Sequence, residues 1–253
     1  MSSNLQASRR INFFLNIDMK QLQRQLQLLS GGAAQGLVTQ LQAQFLLQTG
    51  YAVQGNYGAV GLMKDRLLAG EPCDVLILTQ ALIEQLTLSG ELVACTAHAL
   101  GRVKTGVAVK SGEPEPQVDT PDALKATLLA ARGVYFPDPT KATAGIHFMN
   151  VLRQLGIEAE LSSRLHVFPN GATAMREMAQ STETGLVGCT QVTEILYTPG
   201  VKLVAMLPKE FELATVYTAA VCSKAQQPQA AAELIKLLIS PEADALRVAG
   251  GFE

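Results

Sequence analysis

Four clusters of small and polar residues give this chain its clearest capacity for chemistry. They span residues 28–34, 55–61, 138–145 and 170–173, and each follows a short apolar stretch and precedes a helical pattern. A helix N-terminus has unpaired N–H groups and a partial positive charge, and small residues allow a ligand to approach it. One such junction is ordinary in α/β proteins, but several together predict a cleft that binds a small anion.

Side chains at these junctions could add hydrogen bonds, although each also has a purely structural interpretation. Ser30 and Thr143 could simply cap helices, Tyr57 could lie in an exposed loop, and Asn170-Gly171 is a common turn dipeptide. As ligand-binding residues, these four would act together with backbone N–H donors. The expected donors are Gly31, Gly58, Ala59, Ala144 and Gly145.

Two further polar side chains are candidates for the same cleft. Arg102 and Lys104 share one face of an extended segment, and the planar guanidinium of Arg102 suits a carboxylate. The alternative is a solvated charge pair. Gln191 follows the end of a predicted strand, where its amide would face the cleft.

The residues that could transfer protons do not form an obvious pair. The candidates are Tyr57, Lys141, His147 and Glu194, of which Glu194 also fits as a carboxylate in the first turn of a helix. The histidines are far apart in sequence and make no metal motif, and neither a nucleophile elbow nor a dinucleotide fingerprint is present. We therefore assign no catalytic residue, and we expect neither a metal nor a cofactor.

The elements that would position these residues form two α/β regions. Apolar runs at 26–29, 52–55 and 74–79 alternate with helical patterns, which predicts a parallel sheet with right-handed crossovers. A second α/β region follows. Extended connections near 101–105 and 207–214 predict two crossings between lobes and a hinged cleft.

The predicted division into domains follows from these crossings. Residues 26–104 with 214–253 would form lobe 1, residues 105–213 would form lobe 2, and residues 1–25 would be an N-terminal extension.

Composition narrows the possible partners and the compartment. A net charge of −2 over 253 residues, without a basic run, argues against nucleic-acid binding, and no apolar run is long enough to span a membrane. The apolar stretch at 11–18 is interrupted by polar residues and makes a poor signal sequence. As written, the chain is expected to be cytoplasmic, or periplasmic if its true start carries a leader.

From about residue 27 to its end, the chain resembles the molybdate-binding type of solute-binding protein. The resemblance rests on residues 29–33, 69–75, 136–148 and 240–243 with 250–252, in this order and spacing. It implies the two-lobed periplasmic-binding fold, with a small anion held between the lobes by hydroxyls and backbone N–H groups. It also implies an ABC permease as partner if the protein is exported.

The chain departs from that family's pattern where a hydroxyl pair and a late tyrosine are expected. It has Tyr57-Gly58-Ala59 at the first place and Cys189-Thr190-Gln191 at the second. Larger polar side chains favour an organic di- or tricarboxylate, with an oxyanion as the other possibility.

Aconitate isomerases are a minority activity on chains that look like this family. They provide the alternative function, an enzyme that moves a C=C bond in a small unsaturated tricarboxylate.

Overall fold

The computed structural model describes residues 24–253. The predicted extension at 1–25 therefore lies outside the described residues except for its last two, which open the first strand. The strands are β1 (Arg24–Gly31), β2 (Tyr51–Gly58), β3 (Val75–Thr79), β4 (His98–Lys110), β5 (Gly133–Pro137), β6 (Leu165–Phe168), β7 (Leu186–Gln191), β8 (Val201–Met206) and β9 (Ala214–Val221). The helices are α1 (Gln35–Thr49), α2 (Val60–Leu68), α3 (Gln80–Leu88), α4 (Pro121–Ala130), α5 (Thr143–Gln154), α6 (Glu158–Leu161), α7 (Gly171–Gln180), α8 (Val192–Tyr197), α9 (Pro228–Leu238) and α10 (Asp244–Ala249).

The first lobe is built on a sheet with the strand order β2-β1-β3-β9-β4. Strands β1, β2 and β3 are parallel, as the strand–helix alternation predicts. Strand β9 returns from late in the chain and pairs antiparallel with both β3 and β4. The whole sheet is therefore mixed, and the apolar run at 75–78 is fully buried because β3 has neighbours on both sides.

The second lobe is built on the continuation of the same sheet, with the order β4-β7-β5-β6 and with β8 also paired to β4. Strands β5, β6 and β7 are parallel, and β4 runs antiparallel to β7. Helix α7 begins at Gly171 behind a true cap, since the Asn170 side chain accepts a hydrogen bond from Thr173 N at 2.8 Å.

Strand β4 connects the two lobes. Its residues 98–104 pair with β9, and its residues 105–108 pair with β7. The connection predicted near 101–105 is thus the middle of a 13-residue strand rather than a loop. The second connection lies beside it, because Thr105 N donates to Leu213 O at 3.2 Å and Leu207 N donates to Thr105 O at 3.1 Å.

Separate groups of buried side chains support the two lobes. One group joins residues 26–103 to residues 217–252, including Leu234 of α9 and Phe252 near the C-terminus. The other two groups draw on residues 107–211. We propose, on this basis, residues 26–104 with 214–253 as lobe 1 and residues 105–213 as lobe 2.

None of the helices between residues 24 and 253 is long and apolar enough to cross a bilayer.

All four cysteines are free thiols; Cys73, Cys189 and Cys222 are buried, whereas Cys95 is exposed.

Candidate functional site

A narrow cavity with about 20 Å³ of free space lies between the two lobes. Lobe 1 lines it with Gly32, Gly58, Ala59, Val60 and Tyr217. Lobe 2 lines it with Pro137, Ala142, Thr143, Ala144, Asn170, Gly171, Gln191 and Glu194. None of these lining residues is a lysine, an arginine or a histidine, so the walls offer neutral donors and a single carboxyl group.

Two helices open onto the cavity without a side-chain cap. Ala59 precedes α2 and Ala142 precedes α5, and neither helix has a capping hydrogen bond from a side chain among the described residues. Val60 and Thr143, the first residues of these helices, both line the cavity. Their N-termini therefore direct partial positive charge and N–H donors into the cavity from opposite lobes.

Glu194, in the first turn of α8, occupies the N-terminus of α7. Its carboxyl group accepts backbone hydrogen bonds from Gly171, Ala172 and Gln191. Thr190 Oγ1 donates to Glu194 Oε2 at 2.5 Å. Burial raises the pKa of this carboxyl group, although the four hydrogen bonds oppose that shift. Only 6 % of the residue is exposed.

Gln191 and Tyr217 provide the other large polar groups of the cavity. Gln191 is 2 % exposed; the Tyr217 hydroxyl lies near its side-chain amide, but neither amide atom completes a well-aligned hydrogen bond within residues 24–253. A buried amide without partners is costly in the absence of a ligand that satisfies it. Burial, with a contribution from Glu194, raises the pKa of Tyr217, so its hydroxyl remains a neutral donor.

Direct contacts join the lobes around this cavity. Gly61 N of lobe 1 donates to Lys141 O of lobe 2 at 3.1 Å. The Lys141 Nζ atom lies 2.5 Å from Asp65 Oδ2, again between lobes. A Cβ atom added to Gly32 would come closer than 3.0 Å to Glu194 Oε1, so the backbone of one lobe lies against the carboxyl group of the other. The structure is thus a closed form.

The structure brings six of the eleven predicted ligand-binding residues to the cavity. They are Gly58, Ala59, Thr143, Ala144, Asn170 and Gln191. The other five, Ser30, Gly31, Tyr57, Arg102 and Gly145, lie outside its lining.

Two polar side chains have other partners within lobe 1. The Ser30 hydroxyl is fully buried and donates to Gly31 O at 2.8 Å. The Arg102 guanidinium is directed to the C-terminal residue, with Nη2 3.6 Å from Glu253 Oε2, and 57 % of its side chain is exposed. The solvated charge pair, the alternative interpretation of Arg102, matches this placement.

The remaining three residues, Tyr57, Gly31 and Gly145, pack against neighbouring protein groups instead of lining the cavity. The Tyr57 ring packs beside Gly55 of its own strand, and burial raises the pKa of its hydroxyl. Gly31 lies against Val60 and Tyr217, where a side chain would not fit. Gly145 lies against the backbone of residues 137–138, which lets α5 start close to β5.

Among the four candidate proton carriers, only Glu194 reaches the cavity. His147 Nε2 contacts Phe211 O at 2.7 Å, and Lys141 pairs with Asp65 at the rim. Glu194 lies in the first turn of α8, as the helix-start interpretation predicted, and it also lines the cavity. The spacing of Thr190 and Glu194, four residues apart across a strand end, is a signal that could have raised its rank.

Tyr217, Gly32 and Gly171 also line the cavity although they were not selected as site residues. Tyr217 lies in β9, which inserts between β3 and β4, and no local pattern shows where that strand pairs. The two glycines belong to predicted junctions. Their role is to leave room for Glu194, since a Cβ atom on either would overlap its carboxyl group.

Comparison with known proteins gives a consistent picture. A family model described as "Bacterial extracellular solute-binding protein" matches residues 26–253. An aconitate isomerase from a Pseudomonas species is 28% identical over 229 residues, which cover 86% of this chain and 83% of that protein.

Solved structures show the same fold. The periplasmic molybdate-binding protein of Azotobacter vinelandii superposes with a TM-score of 0.74 at 20% identity, covering 90% of this chain and 98% of that one. The sulfate-binding protein SubI from Mycobacterium tuberculosis H37Rv superposes with a TM-score of 0.70 at 17% identity, covering 90% and 86%. The two-lobed periplasmic-binding fold predicted from the sequence is confirmed.

Proposed function

Because the chain belongs to the family of bacterial extracellular solute-binding proteins, we propose that it binds a small anion in the cavity between its lobes. One observation carries this proposal: the N-termini of α2 and α5, which lack side-chain caps, meet the buried amide of Gln191 in one cavity between the lobes. An anion would accept hydrogen bonds from all three. A cation would face the positive ends of two helices.

The hydrogen-bond donors in the cavity are neutral. Because they form no ion pair with a bound anion, they hold it less tightly than a basic side chain would and allow its release. Helix N–H groups, the hydroxyls of Thr143 and Tyr217 and the amides of Asn170 and Gln191 can surround an anion without forming an ion pair. This closed arrangement leaves only about 20 Å³ of free space in the cavity, room for little more than one water molecule. An anion therefore enters only when the lobes move apart, and the narrow space favours a small ligand.

The two side-chain amides that line the cavity favour an anion with carboxylate groups. Gln191 and Asn170 place donors and acceptors on planar groups, which can pair with the planar carboxylates of a di- or tricarboxylate. The tetrahedral oxyanions named for the molybdate- and sulfate-binding structures are the other candidates. We favour the organic acid because the larger amide of Gln191 lines the cavity where the expected oxyanion shell has a late tyrosine; Tyr57, the other substituted position, lies outside the lining.

The experiment measures the thermal stability of the protein with molybdate, tungstate, sulfate, succinate, citrate and cis-aconitate. A ligand bound by the native state stabilises it by about 2.7 kcal/mol at one hundred times Kd. We expect an organic acid to raise Tm, and Gln191→Ala to reduce that rise. The matched control is Gln40→Ala, on the exposed surface of α1.

If none of the six anions changes Tm at millimolar concentration, the proposal is wrong. Stabilisation by molybdate or tungstate alone would leave anion binding intact and reject the organic-acid assignment. If Gln191→Ala and Gln40→Ala change the ligand-induced rise in Tm equally, the binding site is not in this cavity.

We propose, further, that the liganded form docks on an ABC permease outside the cytoplasmic membrane. The family description supports an extracellular place of action. The Gly61–Lys141 hydrogen bond and the Asp65–Lys141 pair hold the lobes in the closed arrangement. A permease that binds only the closed surface would distinguish the liganded protein from the unliganded one. Pull-down of the permease with and without ligand tests this, and ligand-independent capture would contradict it.

The second candidate function is isomerisation of aconitate, which the position of Glu194 and the similarity to an aconitate isomerase favour. Moving a double bond requires removal of a proton from a carbon next to a carboxylate and its return to another carbon. Glu194 is a buried carboxyl group in the cavity with a raised pKa, which strengthens its conjugate base.

Proton NMR of cis- and trans-aconitate in D₂O tests this reaction directly. Turnover with deuterium incorporation, lost in Glu194→Gln but kept in Glu177→Gln on the exposed face of α7, would establish the isomerase. Binding of aconitate without turnover would leave the protein as a receptor.

A further inference from the structure

The carboxyl group of Glu194 is an unusual component for an anion site. One oxygen lies at the N-terminus of α7 beside Thr190, and the other lies against Gly32 of the opposite lobe. A Cβ atom on Gly32 or on Gly171 would come closer than 3.0 Å to a carboxyl oxygen. Two glycines from different lobes therefore leave room for this one group.

An ionised Glu194 would repel the ligand. Because Glu194 lines this narrow cavity, an anion bound there has to lie within roughly 6 Å of its carboxyl group, a distance at which like charges disfavour ionisation. Burial already favours the protonated form. The cost of a second charge would be higher still in a closed, water-poor cavity.

Within residues 24–253, no lysine, arginine or histidine lines the cavity beside Glu194 to offset this repulsion. The titratable group that faces it from β9 is Tyr217, which is neutral. Cationic side chains on the neighbouring elements have other partners: Arg176 of α7 with Thr173, Lys202 of β8 with Glu115, and Lys104 of β4 with Glu212 and Glu253. Among residues 24–253, the groups that contact this carboxyl group are neutral hydrogen-bond donors, so they stabilise its negative charge without removing it, and a proton removes it.

We propose that the site binds its anion together with one proton, carried on Glu194. The protonated carboxyl group then donates a hydrogen bond, either to the ligand or to a neighbouring acceptor, and no longer repels it. The inference rests on the proposed anion binding and extends it: the ligand class is a carboxylate or oxyanion that is recognised by a neutral acid instead of a basic side chain. When the lobes open, water reaches Glu194 and favours release of both the proton and the ligand.

Isothermal titration calorimetry measures this coupling. Cis-aconitate and sulfate are titrated at several pH values between 6 and 9, each in two buffers with different enthalpies of protonation. We expect uptake of up to one proton on binding, and an affinity that falls towards tenfold per pH unit once free Glu194 is ionised. In Glu194→Gln we expect the proton uptake, and the pH dependence of whatever affinity the variant has, to disappear, while Glu177→Gln behaves as wild type.

A second variant keeps the test decisive if Glu194→Gln does not fold. The Thr190 hydroxyl stabilises the ionised form of Glu194, so Thr190→Val should move the fall in affinity to higher pH. Absence of binding by either probe at every pH would overturn the proposed function and this inference with it. Binding without proton uptake, or proton uptake that persists in Glu194→Gln, would overturn this inference alone.

Discussion

Gly32→Ala should weaken ligand binding much more than it weakens folding. The added Cβ atom would come closer than 3.0 Å to Glu194 Oε1, which belongs to the opposite lobe. Since non-bonded heavy atoms rest about 3.5 Å apart, the carboxyl group or its lobe has to move by about 1 Å. Opening of the lobes relieves this overlap without disturbing either core, so the cost falls on the closed form.

The size of the effect follows from overpacking. Adding a methyl group to a well-packed site costs about 1–3 kcal/mol. If only the closed, liganded form bears this cost, the affinity falls by about 5- to 150-fold. Calorimetry with the anion that stabilises the wild type measures this loss, and thermal unfolding without ligand measures folding.

Gly145→Ala is the contrasting variant. Its Cβ atom would overlap the backbone carbonyl groups of Pro137 and Asp138, which belong to the same lobe. It should therefore lower Tm without ligand by several degrees, since about 1 kcal/mol shifts Tm by roughly 2–4 °C in a chain of this size. If Gly32→Ala lowers the unliganded Tm as much as Gly145→Ala and leaves affinity unchanged, the assignment of Gly32 to the closed interface is wrong.

Three other variants test the charged groups. Lys141→Ala removes the exposed ion pair with Asp65 between the lobes, so affinity should fall by less than about fivefold and the difference should vanish in high salt; a large, salt-independent loss would contradict this. Asp74→Ala leaves three backbone N–H groups of residues 27, 226 and 227 without their buried acceptor, so urea unfolding should show a loss of at least about 3 kcal/mol, and a loss below 1 kcal/mol would refute it. The pKa of Glu194 is raised above its ordinary value of 4.5 in the folded protein, so the folded state keeps a proton that the unfolded chain releases. The stability that this proton confers is fully present below pH 4.5 and is lost as the pH rises through the pKa of the folded state. Glu194→Gln should therefore become more stable relative to the wild type with increasing pH, and a constant difference from pH 4 to 8 would exclude this role.

Much of the fold could be predicted because its signals are local. The apolar run at 75–78 identified a central strand, and the small residues at 138–145 identified the start of α5. The place of β9 could not be predicted in this way. It lies between β3 and β4 although more than one hundred residues separate it from either in sequence. Strand order depends on long-range pairing, which a strand's own residues do not specify.

The site shows the same division between local and distant information. Thr143, Asn170 and Gln191, predicted to bind the ligand, line the cavity because they lie at ends of strands or starts of helices, and such positions meet at one edge of an α/β sheet. Arg102 has the right chemistry for a carboxylate, but the C-terminal Glu253 pairs with it far along the chain. A partner supplied by distant sequence cannot be read from the segment that needs it.

The sequence by itself predicted two α/β regions with helices that begin at small-residue junctions, because helix starts, small residues and apolar strands are encoded within short segments. Only the tertiary structure decided which of these groups share a cavity. It placed Glu194 against Gly32 across the lobes and added Tyr217 from an inserted strand, while turning Ser30 and Arg102 to other partners. The physical reason is that burial and charge neutralisation depend on what surrounds a group in space. A carboxylate that looks like an ordinary helix-start residue in the sequence becomes, once enclosed without a cation, the group that controls the charge of the site.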